Sequence, residues 1–300
     1  MLGYVCKYTP MELFEAMDTE ITRLEPSVTD FNHADTLMHA NICSYTKAVL
    51  EDVMEHDYEG VILTTCCDSI RRLYDTLKSQ FPDKFFFLLD IPRKFNDFAV
   101  ALYERQLKQM LTEYEAFSGK TLDLKRFVSM MQNKAALKKQ ENTRMSASAA
   151  SEKGNGQKLN IGIMGARCNN EIRQLLVDRG ANLLFDLTCT GLARDFSITE
   201  DQVLHSYAAA LLNQIPCMRM LKAANREHFL DGFTDRLDGI IYHTVKFCDS
   251  YSYEYADFRQ RLDLPILLVE TDSTRQCAGQ VRTRVEAFME ELKVKKGLSL

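Results

Sequence analysis

Apolar positions along this chain follow two rhythms, and their alternation predicts an α/β protein. Short runs of β-branched, aromatic and aliphatic residues, bounded by Asp, Gly or polar residues, have the form of strands buried in a parallel sheet. They are Val61-Ile62-Leu63, Phe85 to Leu89, Ile161-Gly162-Ile163, Leu183-Leu184-Phe185, Gly239 to Tyr242 and Ile266 to Val269. Between them the apolar residues recur at helical spacing. Leu37, Ile42, Tyr45, Val49, Leu50 and Val53 predict a helix over 34–57, with Cys43 either inside it or at its start. Further helices are predicted over 69–79, through most of 95–140, and over 170–179, 199–229 (broken at Pro216), 252–262 and about 280–293. Thr9 before Pro10 predicts the N-cap of an early helix.

Residues 138–157 are rich in Ser, Ala, Gly and charge, with Met145 the one large apolar residue, and predict a linker. The expected organisation is an N-terminal α/β domain over 1–140 with a helical extension, a linker over 141–157, and a C-terminal α/β domain over 158–300. Both domains are expected to be doubly wound around parallel sheets, with a helical connecting segment.

Composition narrows the function classes. The 300 residues carry a net charge of -5, so no basic excess is available to release counterions from nucleic acid. No apolar run approaches the roughly 20 residues of a membrane span. The start of the chain has acids early and no apolar core of a signal peptide, so a cytoplasmic protein is expected. Gly162 and Gly165 do not extend to a GxGxxG fingerprint, and neither a GxxxxGK[ST] loop nor a GxSxG elbow is present.

Nine cysteines are many for a reducing compartment, and without an export signal metal or redox chemistry is favoured over disulfides. Their positions form a pattern. Cys66 and Cys67, Cys168, Cys189, Cys248 and Cys277 each follow a predicted strand, the edge at which open α/β sheets bind ligands. With no CxxC pair, a zinc site is disfavoured, and any cluster has to be assembled from distant segments. Cys43, Cys67 and Cys248 suit an iron–sulfur cluster in the cleft between domains, with one iron left open as a Lewis acid. Packing is the default for Cys66, and Cys6 is read as packing or an exposed thiol. His243 is read as a satisfied histidine at a strand end, Ser44 as a local hydrogen-bonder or substrate contact, and Arg282 and Arg284 as a solvated helix face or CoA-phosphate contacts.

The segments ANICSYTKAVLED, VILTTCCDSIRRLYD, FLLDIPRK, DLTCTGLARD, DGIIYHTVKFCDSYSYEY and VETDSTRQCAGQVRTRVEAFMEEL together resemble the 2-hydroxyacyl-CoA dehydratase D-component family. Its members include 2-hydroxyglutaryl-CoA dehydratase subunits, benzoyl-CoA reductase relatives and double-cubane cluster proteins. The resemblance implies a [4Fe-4S] cluster held by Cys43, Cys67 and Cys248 between two α/β domains. It implies a lyase that eliminates water from a 2-hydroxyacyl-CoA through a ketyl radical. The implied partners are an ATP-dependent activator ATPase that injects one electron, a paired homologous subunit in a hetero- or homodimer, and the CoA thioester substrate, with no nucleic acid or membrane. Cys189 and Cys217 match further cysteines of the double-cubane members. The alternatives are therefore a double-cubane [8Fe-9S] reductase of small molecules, or a non-catalytic subunit that relays electrons.

Overall fold

The structure is a computed structural model that describes residues 1–136, 158–168, 170–191, 198–220, 224–275 and 278–298. The expected linker over 141–157 lies outside the described residues. Two four-stranded sheets organise the chain. The first contains β1 (Leu2–Tyr4), β2 (Ile21–Arg23), β3 (Gly60–Thr64) and β4 (Phe85–Leu89), ordered β2-β1-β3-β4 with every pairing parallel. The second contains β5 (Asn160–Gly165), β6 (Asn182–Thr188), β7 (Gly239–Val245) and β8 (Ile266–Thr271), ordered β6-β5-β7-β8 and again parallel. The α/β expectation holds in both halves. Strand order is also the same in both: the second strand lies outside the first, and the third and fourth extend the other way. The direction of winding reverses between the first and third strands, and this opens a crevice beyond their carboxyl ends.

The helices are α1 (Met11–Ala16), α2 (Asn32–Leu37), α3 (Ser44–Glu55), α4 (Asp68–Gln80), α5 (Asp97–Ser118), α6 (124–136), α7 (Asn170–Asp178), α8 (Val203–Leu212), α9 (Ala224–Asp231), α10 (Asp249–Arg261) and α11 (Ala278–Lys296). None is long and apolar enough to cross a membrane. One apolar core joins the two sheets, with Val49, Leu63 and Leu73 from the first half and Phe185, Tyr242 and Phe258 from the second. A second core covers the far face of the first sheet. Tyr207, Ala208, Leu211 and Leu212 of α8 lie in it beside Tyr103, Leu107 and Met110 of α5, so α8 packs across the chain against α5 of the first half. A third core, around Ile161, Ile163, Phe288 and Leu292, lies between the second sheet and helices α7 and α11.

Several local expectations are corrected. The helix predicted over 34–57 is two helices, because Met38 is extended (φ -130°, ψ 158°) and the chain restarts only at Ser44. Cys43 is thereby the N-cap of α3, which settles its placement. Pro10, not Thr9, caps α1, and no side chain closes that cap. The break expected at Pro216 is borne out: the region 199–229 forms two short helices, with Pro216 in the segment between them. Strands β1 and β2 were not expected.

One glycine shapes the approach to the site. Gly165 ends β5 at φ 107°, and a Cβ there would lie 2.1 Å from the His243 carbonyl oxygen. Only glycine lets β5 hydrogen-bond closely to β7 at this point and then turn out toward Arg167.

Candidate functional site

The carboxyl ends of the two sheets face each other, and the thiols gather there. Cys6 follows β1, Cys66 and Cys67 follow β3, Cys189 follows β6 and Cys248 follows β7. Cys43 comes from the start of α3, and Cys217 from the segment after α8. All seven line one cavity of about 320 Å³. Each of the five sequence-predicted cysteines (Cys43, Cys67, Cys248, Cys189 and Cys217) is therefore on the same wall. Cys66, read from sequence as packing, and Cys6, read as packing or an exposed thiol, are there too.

Helix starts position the first trio. Cys43 is the N-cap of α3, Cys67 of α4 and Cys248 of α10. None of these sulfurs closes a full capping hydrogen bond. The amides of Thr46, Ile70 and Tyr251, each three residues further on, nevertheless favour the respective thiolates. The positive ends of three helix dipoles thus converge where anionic sulfur would sit. Burial opposes them: it is the largest influence on Cys43, whose pKa is raised, and on Cys248, which is pushed up to about 11. Such thiols stay protonated until a cation or metal takes the proton's place.

The remaining sulfurs act on one another's acidity. Cys66 lies between Cys6 and Cys67, and both contacts draw its pKa well below the ordinary thiol value, while Cys6 and Cys67 are raised. Cys189 and Cys217 form a second such pair, with Cys217 lowered and Cys189 raised. The Tyr251 hydroxyl reaches this pair, 2.8 Å from Cys189 Sγ and 3.4 Å from Cys217 Sγ. Burial and the neighbouring thiols keep that phenol protonated, so it can donate to either sulfur.

Cations complete the wall. Arg219 and Arg167 line the cavity with Lys7, whose ammonium donates to the Ile215 carbonyl and whose pKa is lowered to about 8, chiefly by burial. The two halves meet beside the trio. Ser44 N–H donates to Lys246 O across 3.1 Å, and the Ser44 hydroxyl to the same oxygen at 3.4 Å. The apolar part of the lining includes Ile91, Met220 and Val245. Phe247, 44% exposed, stands at φ 64° immediately before Cys248. For an aromatic residue that is a strained conformation, and it turns the chain so that the Cys248 N–H returns to Val245 O at 2.8 Å.

Other sequence candidates lie away from this cavity. Cys168 is buried in the core against α7 and α11, with its thiol pushed up to about 12 by burial. His243 is 2% exposed in β7 and meets Thr271 Oγ1 of β8 at 3.0 Å through Nε2, but its Nδ1 is buried without a hydrogen-bond partner, so the expected satisfied histidine is satisfied on one ring nitrogen alone. Arg282 pairs with Glu286 at 3.0 Å, and Arg284 donates to Leu268 O at 2.7 Å. Cys277 lies outside the described residues. None of the eight described cysteines is in a disulfide. Among the described residues, no three His, Cys, Asp or Glu side chains close on a point as they would around a single metal ion.

The sequence that builds these two sheets matches a known family over nearly the whole chain. The family described as 2-hydroxyglutaryl-CoA dehydratase, D-component, matches residues 6–152 and 128–292. This chain belongs to that family. One similar relative is the (R)-phenyllactyl-CoA dehydratase beta subunit of Clostridium sporogenes, 23% identical over 347 residues that cover 97% of this chain and 91% of the relative. The family places the chain among 2-hydroxyacyl-CoA dehydratase components, and its overlapping matches cover every strand but β1. Sequence alone had pointed to Cys43, Cys67, Cys248, Cys189 and Cys217. It missed Cys6, whose strand is too short to show a period, and the facing cations, which carry no local signal.

Proposed function

We propose that this chain is the iron–sulfur subunit of a 2-hydroxyacyl-CoA dehydratase-type enzyme, with a [4Fe-4S] cluster held by Cys43, Cys67 and Cys248. The supporting observation is that these three thiols, far apart in sequence, cap three helices whose N-termini meet at one cavity. The donor set fits the group. Iron–sulfur clusters are held by thiolates, and a cube of four irons needs sulfurs spread over a cavity wall rather than closed on one point. When bound, the cluster supplies one-electron chemistry and an iron position open to a substrate oxygen.

The chain's own residues do the rest. The helix N-termini and Arg219 favour the anionic sulfurs, and Ile91, Met220 and Val245 keep part of the wall apolar. The reaction in this reading is elimination of water from a 2-hydroxyacyl-CoA through a ketyl radical on the thioester. An ATP-dependent activator supplies the electron and a homologous subunit pairs with the chain, in a cytoplasm that keeps thiols reduced. The relative named for phenyllactyl-CoA supports an acyl-CoA substrate.

A second reading has an observation of its own: Cys189, Cys217, Cys6 and Cys66 share the wall with the trio. They are enough sulfur for a double-cubane [8Fe-9S] cluster and a reductase of small molecules. Iron and sulfide counted after anaerobic purification separate the two, at about four irons per chain for the dehydratase and about eight for the double cubane. Alanine at Cys43, Cys67 or Cys248 should cut the iron content sharply, whereas Cys168→Ala, outside the cavity, should leave it unchanged. Equal iron in all four variants would refute the ligand assignment. Activity with an activator, ATP and a 2-hydroxyacyl-CoA distinguishes a catalytic subunit from an electron relay.

A further inference from the structure

The buried cations around the cavity differ in what holds them. Arg226 is gripped by Glu254, with Nε 2.9 Å from Oε1, and donates to the carbonyls of Leu187 and Pro216. Arg167 donates to the carbonyls of Val5 and Leu24, with Glu25 at 3.9 Å. Arg219 is held by much less. Among the described residues its guanidinium makes one hydrogen bond, from Nε to Ser250 Oγ at 3.0 Å, and it has no carboxylate partner. An arginine does not lose its proton, and a half-buried charge left without an anion is costly.

Arg219 lines the same cavity as the seven thiols. Burial weakens its hold on its proton, and ionised sulfur at Cys66, Cys67, Cys217 or Cys189, as in cluster ligands, would strengthen it. In return Arg219 lowers the pKa of Cys43 and Cys248. Its field therefore reaches the trio and the Cys189–Cys217 pair alike. Ser250 lies two residues after Cys248 on α10, so the same helix start presents a thiol and fixes the cation.

We propose that Arg219 is the fixed counter-charge of the cavity, balancing the thiolate charge of a bound cluster and setting its reduction potential. The inference rests on the cluster reading above and deepens it. A fixed positive charge stabilises the state carrying the extra electron, so it raises the potential and eases one-electron reduction by the activator. Removing the charge should lower the potential.

The test uses the full chain, reconstituted anaerobically with iron and sulfide, with iron counted and the midpoint potential followed by electron paramagnetic resonance during reductive titration. Arg219→Gln should keep its iron and disfavour the reduced state about tenfold, which is 59 mV for one electron. Arg219→Lys, which keeps the charge, should stay closer to the wild type. Full iron in the Gln variant with an unmoved potential overturns the proposal, as does an equal shift in both variants. If the Gln variant loses its iron, the Lys variant decides: iron retained supports the role of charge, and iron lost refutes it. A wild-type chain that binds no iron refutes the cluster reading and this inference with it, and the iron count distinguishes that failure from the others.

Discussion

Tyr251 is 2% exposed, and its hydroxyl lies between two sulfurs, 2.8 Å from Cys189 and 3.4 Å from Cys217. Replacing it with phenylalanine keeps the ring and removes the one proton the pair receives from it. Buried groups that lose a hydrogen-bond partner cost about 1–2 kcal/mol. Tyr251→Phe should therefore melt a few degrees below the wild type in the metal-free chain. An unchanged melting temperature would show that the hydroxyl contributes nothing to this corner. At this scale much of the site was legible, for one physical reason: a thiol just beyond a buried strand is marked in sequence by the strand itself. Tyr251, Lys7 and Arg219 have no such marker. Their roles come from burial against residues as distant as Ile215 from Lys7, and local pattern does not record such pairings. Cys66, read as a packing residue, lies beside Cys67, and the neighbour that the local pattern did not show is Cys6.

The strands with long apolar runs were legible as elements, and β7 is the clearest, buried at every position from Gly239 to Val245. Strands β1 and β2, three residues each, were not, since three residues cannot show a period of two. Burial of β7 also creates a pH dependence. His243 has its pKa lowered from 6.5 to about 4, mainly because burial disfavours the imidazolium; Arg173 pushes the same way, while Asp186 and the backbone of Ala166 and Arg167 oppose it. Below pH 6.5 the unfolded chain takes up a proton that the folded chain refuses, so stability falls as pH drops from 6.5 toward 4. This one group contributes nothing to pH dependence above that window and costs about 2 kcal/mol by pH 5. Chemical denaturation of the wild type and of His243→Gln at pH 7 and pH 5 checks it. The variant, whatever its stability at pH 7, should lose less on acidification. An equal loss in both chains would remove His243 as the cause.

At the scale of the molecule, the same strand order occurs twice, and the cavity exists because the two switch points are held face to face. Neither sheet closes the site alone, which is why linear pattern could suggest a cleft but not what holds it. Arg167, on the turn leaving β5, is one of the ties that reach across. Its guanidinium donates to the carbonyls of Val5, after β1, and Leu24, after β2, and stacks 4.1 Å from the ring centroid of Tyr45 in α3. Tyr45 in turn donates to Leu24 O at 2.9 Å, so ring, carbonyl and guanidinium form one joint between the halves. A planar fork that serves two carbonyls and a ring face at once is not replaceable by an ammonium on a flexible stem. Arg167→Lys and Arg167→Met should consequently both be destabilised, by about 2–4 kcal/mol, with the lysine recovering little of the loss although it keeps the charge. Unfolding in denaturant, followed together by tyrosine fluorescence and far-ultraviolet dichroism, measures this. If lysine restored wild-type stability, charge rather than shape would be joining the halves, and this account of the cleft would fail.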